Sequence, residues 1–329
     1  MKILTKGNHY DRSVLWRNQL QNKAREIINK YHIHNVIASG APFHLLYYTA
    51  LLKDHFPELN LIVDIRDPWT DNKSFWNFGQ LSSSRKKMEE TLELKALEKA
   101  DYVITVSETM TNNLKKKIPH QTQKFISLNN GFDKEDFTFQ STNVRGKNDN
   151  NKIKFIFSGT LYDKIDTVFY PFVQMLNDLK IQNNSLYNNL TFDFYGNAPE
   201  HYKNWVSQKN VEILNFHALL PLQEIYTKIQ NSDFCMLFLN DDLTFSMSTK
   251  FLEYLYLKKK IIVFSKEGSM PDFVKKNNLG FHVNPKNTEV DFMQAINYCQ
   301  NNFKELETTL EIEEFSVEAL SKKIETLFI

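Results

Sequence analysis

The chain has 329 residues, with 40 Lys and Arg against 39 Asp and Glu for a net charge of +1, so no basic excess points to nucleic acid and none is expected as a partner. This length allows two domains, each with a sizeable core, while nine glycines and the absence of any GxGxxG argue against a dinucleotide-dependent dehydrogenase. Cys235 and Cys299 stand apart in apolar segments and read as buried thiols of a reducing cytoplasm. No run approaches the roughly 18 apolar residues that span a bilayer, and the start lacks a signal-peptide core, so a cytoplasmic protein is expected.

In chain order, residues 13–31 carry apolar positions at helical spacing and lead into a short strand, 35–38, that ends in Ser39-Gly40-Ala41-Pro42. A helix over 43–56 follows, then the strand 60–65, which runs into Arg66-Asp67-Pro68-Trp69. A strand end carrying a charged pair and a proline turn lies on the rim where open α/β sheets take ligands. Residues 82–99 read as a solvated helix with one buried stripe, 102–106 as a strand, and Ser107 as the cap of a helix over 108–117. The strand 124–128 ends this half. The lysines of Asn113-Leu114-Lys115-Lys116-Lys117-Ile118 suit a helix C-terminus, and they also offer a weak peripheral contact with an anionic membrane face. A polar stretch over 141–152 reads as a linker, dividing the chain into domains 1–140 and 153–329.

The second half restarts the alternation: strand 153–158, the loop Gly159 to Lys164, a helix through Leu179, strand 190–195, strand 211–216, and a helix opened by Pro221. The apolar run 234–239 then leads to FSMSTKFLEYL, Phe245 to Leu255, before the strand 261–264. Ser246, Ser248 and Thr249 can cap a helix whose first amides form an anion site. Lys250 sits in the first turn, where a cation opposes the helix dipole, and is better explained by a bound phosphate. Glu253, one turn later, is an acceptor-only carboxylate suited to ribose hydroxyls. An ordinary exposed Lys-Glu pair would fit the same residues. The expected fold is α/β, two parallel-sheet halves facing each other across a cleft, with the cleft between their strand ends as the default ligand site.

Four stretches together resemble the retaining glycosyltransferases of the GT-B fold, family 4 in the common sequence classification. They are VDIRDPW (63–69), SLNNGFDKEDF (127–137), IFSGTLYDK (156–164) and STKFLEYLYLKKKIIV (248–263), in order along the chain. The resemblance implies two Rossmann-like domains, a nucleotide-sugar donor, and a glycan or lipid-linked acceptor, as in surface polysaccharide assembly. It implies that Gly159 and Thr160 let the diphosphate approach the loop and that Lys164 is the loop cation. Gly196, Asn197, Phe216 and His217 would border the base. Ser248 and Thr249 would present amides, Lys250 would neutralise the diphosphate, and Glu253 would bind the ribose. Arg66, Asp67 and Trp69 would lie on the acceptor side, with Asp67, Lys164 and Lys250 acting on the reaction. A salt bridge of Asp67 with Arg66, or a cap on the turn, is the alternative for Asp67. No metal is expected, because lysines can meet the leaving group's charge.

Two departures from the family pattern stand out. Phe245 occupies the place eight residues before Glu253 where many members carry a sugar-gripping glutamate. The N-terminus lacks the usual opening strand and glycine-rich loop, so transfer is expected to be weak unless residues 1–12 or a partner fill that place. The competing reading is a weak or inactive transferase-like subunit that binds nucleotide and a partner protein.

Overall fold

The structure, a computed structural model, describes residues 11–71, 78–137, 152–241, 247–301 and 308–329. The opening residues 1–10, most of the stretch read as a linker, and Phe245 and Ser246 lie outside the described residues. The chain forms two compact units, one of residues 1–129 and 320–329, the other of residues 130–319. The division falls after Asn129 instead of in the polar stretch 141–152. The physical reason is apolar: Phe132 packs 4.6 Å from Tyr256, and Phe137 stacks 4.5 Å from Tyr226. These contacts commit the segment before the polar stretch to the second unit. Among the described residues no helix is long and apolar enough to cross a membrane.

Unit 1 holds a four-stranded parallel sheet in the order β1 (Asn35–Gly40), β2 (Asn60–Ile65), β3 (Tyr102–Thr105), β4 (Phe125–Ser127). Its helices are α1 (Arg17–Tyr31), α2 (His44–Ala50), α3 (Ser83–Lys99) and α4 (Glu108–Lys117). Strands laid side by side in chain order, joined by right-handed crossovers, put every crossover helix on one face. The other face needs a separate cover, because β2 is buried along its whole length. The chain's last ten residues supply it: Leu320, with Ile324 and Leu327, packs on Ile62, Ile104 and Leu128. Asn60 Nδ2 donates to the Leu327 carbonyl at 2.7 Å, which fixes that returning segment at the start of β2.

Unit 2 holds a six-stranded parallel sheet, β5 (Ile153–Ser158), β6 (Leu190–Tyr195), β7 (Leu214–His217), β8 (Phe234–Phe238), β9 (Lys260–Phe264) and β10 (Gly280–Val283). The order is β10-β9-β8-β5-β6-β7. The chain winds one way from β5 and then, from β8, the other, so the switch point lies between β5 and β8. Its helices are α5 (Asp166–Gln182), α6 (Asn184–Asn188), α7 (Glu200–Gln208), α8 (Leu222–Gln230), α9 (Thr249–Tyr256), α10 (Ser269–Lys276), α11 (Thr288–Asn301) and α12 (Val317–Glu325), the last running on into unit 1. The two-residue strand period separates two cores. Phe155 and Phe157 face one with Phe169, Phe172, Phe192 and Phe292. Ile156 faces the other with Cys235, Leu237, Phe251 and Tyr254. Cys235 is a fully buried free thiol, and burial pushes its pKa up to about 12. The side chain of Cys299 lies outside the described residues.

Candidate functional site

In unit 2 the strand ends at the switch point build a close glycine–lysine contact. Gly159 follows β5 with φ 107°, a left-handed backbone that favours glycine. A Cβ there would stand 2.2 Å from Lys250 Cε and 2.5 Å from Nζ, so the lysine side chain lies in the space that a larger residue would fill. Gly196, after β6 with φ 131°, meets Gly159 on its other side: a Cβ there would stand 2.2 Å from the Gly159 carbonyl oxygen. The Gly159 N–H donates to the Tyr195 carbonyl at 2.7 Å, and the Leu161 N–H donates to Asn197 at 2.8 Å. These bonds hold the loop that includes Thr160.

The sequence of α9 explains why the helix starts where it does. Ser248 is its N-cap, accepting the Phe251 N–H at 3.2 Å on Oγ, and Thr249 opens the helix. Phe251, Leu252, Tyr254 and Leu255 are buried, which leaves Lys250 and Glu253 as the half-buried charged positions of the helix. Lys250 Nζ lies 5.4 Å from the Phe157 ring centre and 5.9 Å from that of Tyr162. Burial lowers its pKa, against a smaller opposing effect of Glu253. Burial likewise raises the Glu253 carboxyl, with Lys250 opposing and Asp136 adding to the rise. A cation and a carboxylate are thus both partly stripped of water one turn apart. Such charges gain from a phosphate oxygen and from a donor hydroxyl, respectively.

Next to them, at the ends of β6 and β7, His217 stacks on Tyr195 with ring centres 4.4 Å apart, and its Nε2 lies 2.7 Å from Asp193 Oδ1. Phe216 is half-buried with its ring 5.5 Å from Phe194, and Asn197 is exposed. Lys164 stands exposed at the far end of the β5 loop with φ 71°. Asp193 and Tyr254 were not foreseen from the sequence. The alternation of Asp193 with Phe192 and Phe194 hinted at an outward carboxylate, whereas Tyr254 reads simply as core.

Unit 1 sorts the acceptor-side residues differently from their expectation. Arg66 pairs with Asp64, Nε to Oδ1 2.8 Å, and donates to the Leu128 carbonyl at 3.1 Å, so it ties β2 to the end of β4 and is not the partner of Asp67. Trp69 cannot face an acceptor: it is 1 % exposed, stacks 5.5 Å from Phe43, and its indole N–H donates to Glu89 at 3.0 Å. Of the three, Asp67 alone presents an exposed side chain, and partial desolvation by the surrounding protein raises its carboxyl.

Behind this loop lie charges that the sequence reading of α3 as a solvated helix missed. Glu89 is 0 % exposed, bonded to His44 Nε2 at 2.8 Å and to Arg85 Nε at 2.8 Å. Burial pushes its carboxyl up, but the bonds to His44 and Trp69 and the Arg85 charge hold it below the ordinary range. One turn on, Glu93 is 1 % exposed and takes Lys117 Nζ at 2.7 Å, with Thr70 bonded to the same oxygen. Lys117 also pairs with Asp71 at 3.0 Å, so one lysine of the run considered for a membrane face is turned inward. The signal was present as Arg85, Glu89 and Glu93 spaced by four on one helix stripe.

No protein-family model matches the chain, and no curated relative is found. Solved structures do resemble it. A glycosyltransferase from Rickettsia africae is 16 % identical with a TM-score of 0.67, covering 96 % of this chain and 82 % of that one. The lipopolysaccharide outer core galactosyltransferase WaaB is 14 % identical with a TM-score of 0.61, covering 96 % of this chain and 80 % of that one. A UDP-GlcNAc 2-epimerase from Neisseria meningitidis, bound to UDP-GlcNAc, is 12 % identical with a TM-score of 0.52, covering 94 % and 80 %. With its four and six parallel strands in two α/β units, the chain has the fold of GT-B glycosyltransferase structures.

Proposed function

We propose that this chain is a retaining glycosyltransferase that moves a sugar from a nucleoside-diphosphate donor to a hydroxyl of a glycan or lipid-linked acceptor in surface polysaccharide assembly. The observation that carries the reading is Lys250 lying in the space left by Gly159, with Glu253 one turn along α9. Gly159, Thr160, Gly196 and the first amides of α9 after Ser248 and Thr249 admit the diphosphate, Lys250 and Lys164 oppose its charge, and Glu253 holds the ribose. Asn197, Phe216 and His217 border the base.

In the reaction the acceptor oxygen bonds to the anomeric carbon while the bond from that carbon to the donor phosphate breaks. The electron pair stays on the nucleoside diphosphate, and the acceptor proton passes to that phosphate. Fixed amides and lysines act where the negative charge grows, which lowers the barrier without reorganisation. The positive charge comes from the lysines, without a metal ion. Asp67 orients the acceptor.

Calorimetry with a panel of nucleoside diphosphates tests this reading. Lys250→Ala and Glu253→Ala are each expected to weaken binding while the fold persists. Each loses a charge-assisted hydrogen bond of about 1.5 to 3 kcal/mol, which is roughly ten- to a hundredfold in affinity. Unchanged affinity in both variants overturns it. Incubation with nucleotide sugars and candidate acceptors then separates transfer from epimerisation of the donor.

A further inference from the structure

Among the described residues, a polar contact runs from the core of unit 2 to the end of β5. Tyr254 is fully buried, yet its hydroxyl oxygen accepts the Ser158 backbone N–H at 3.1 Å and is bonded to Ser158 Oγ at 3.1 Å. Ser158 is itself buried and immediately precedes Gly159. Tyr254 and Lys250 stand four residues apart and so share a face of α9. That face therefore grips two successive residues at the end of β5: Tyr254 holds Ser158, and Lys250 lies over Gly159. Gly196 closes the opposite side of Gly159, whose position is thus set from two directions. Burial keeps the phenol far above its ordinary pKa, so the hydroxyl stays protonated.

We infer that Tyr254 is a positioning residue for the phosphate site: its hydroxyl sets the distance between α9 and the Gly159 loop, so that Lys250 and the loop amides meet one diphosphate together. The inference rests on the reading of Lys250 as the phosphate cation. Tyr254→Phe keeps the ring and removes the oxygen, which frees the Ser158 N–H and lets the loop drift from the helix.

The test uses the full chain with inorganic pyrophosphate, which needs no assumption about the base, in calorimetry on Tyr254→Phe, Lys250→Ala and the double variant. Tyr254→Phe is expected to weaken pyrophosphate binding roughly tenfold, the effect of one lost hydrogen bond. In the Lys250→Ala background the same change is expected to cost nothing further, because the lysine it positions is gone. A loss of equal size in both backgrounds would reveal general damage to the unit and overturns the inference. So does an unchanged Tyr254→Phe beside a weakened Lys250→Ala, a result that leaves the phosphate reading standing. Unchanged binding in Lys250→Ala removes that reading and the inference together. If Tyr254→Phe does not fold, amide exchange in the unaltered protein decides: pyrophosphate is expected to slow exchange at Ser158 and Gly159, and unchanged rates overturn the positioning role.

Discussion

The two units support the ends of their strands with opposite materials. Under the strand ends of unit 2 lies a stack of rings, Phe155 at 4.5 Å from Phe192 and 5.3 Å from Phe234. Behind the Asp67 loop of unit 1 lie paired polar and charged groups, Glu89 with Arg85 and His44, and Glu93 with Lys117. A ring stack keeps its shape at any pH, and in unit 2 the charged groups Lys250 and Glu253 are left at the surface layer, half-buried. In unit 1 the charges face inward and are consumed by one another, so the loop carrying Asp67 holds its shape only while each pair is complete. The contrast separates two uses of buried charge: groups paired with one another shape the fold, and partly stripped groups at a rim are candidates for a ligand site.

The largest effect expected from this contrast is on unit 1. Glu89→Ala leaves His44, Arg85 and the Trp69 indole without their shared acceptor, and breaking such a buried set costs about 3 to 5 kcal/mol. Denaturant unfolding is expected to show unit 1 melting early while nucleotide still binds. A loss below about 1 kcal/mol would mean that the charges are incidental and the contrast is false.

Next in size is Asp67→Asn. As the exposed group on that loop it is expected to leave nucleotide affinity and folding alone while turnover falls about a hundredfold, the lower range for a group acting on a reacting proton or hydroxyl. Unchanged turnover would assign Asp67 to the turn and nothing more.

The smallest effect is a pH dependence of nucleotide binding to unit 2. The Lys250 pKa lies below 10.5 and that of Glu253 above 4.5. Nucleotide affinity is therefore expected to fall as pH rises through the lowered lysine value, and to fall again as pH drops through the raised carboxyl value. In the unliganded unit the signs are those of a penalty. The lysine is penalised in full below its folded pKa, and that penalty is gone above 10.5; the glutamate is penalised above its folded pKa, and that penalty is gone below 4.5. At neutral pH both penalties are present, so Lys250→Met is expected to raise the unliganded melting temperature slightly while nucleotide binding weakens. A lowered melting temperature would place Lys250 among the structural charges.

Much of the fold was legible because parallel strands buried on both faces leave short apolar runs. β5 and β6 span the residues read from the sequence. The failures trace to partners far away in the chain. The run beginning at Val211 looks like strand, but Tyr187 Oη takes the Glu212 N–H at 3.0 Å and the ladder starts only at Leu214. Arg66 looked like the partner of its neighbour Asp67, while Asp64 and the Leu128 carbonyl claim it. Trp69 looked like a rim residue because its sequence neighbours are polar and a proline; Glu89, twenty residues on, draws it inside. The places of Lys250 in the first turn of α9 and of Glu253 three residues on were readable from the capping serine and the helix spacing, whereas the grip of Tyr254 on Ser158 depends on the fold.

The cover that Leu320, Ile324 and Leu327 place on Ile62, Ile104 and Leu128 has a consequence for birth at the ribosome. One face of the first sheet lacks this cover until residues 320–327 have been made, and the residues of unit 2, 130–319, lie between the two parts of unit 1 and are made before the second of them. During synthesis the unit encoded first is thus the last to close, and its apolar face waits through the translation of some 190 residues, 130–319, in the care of whatever binds exposed hydrocarbon in the cell.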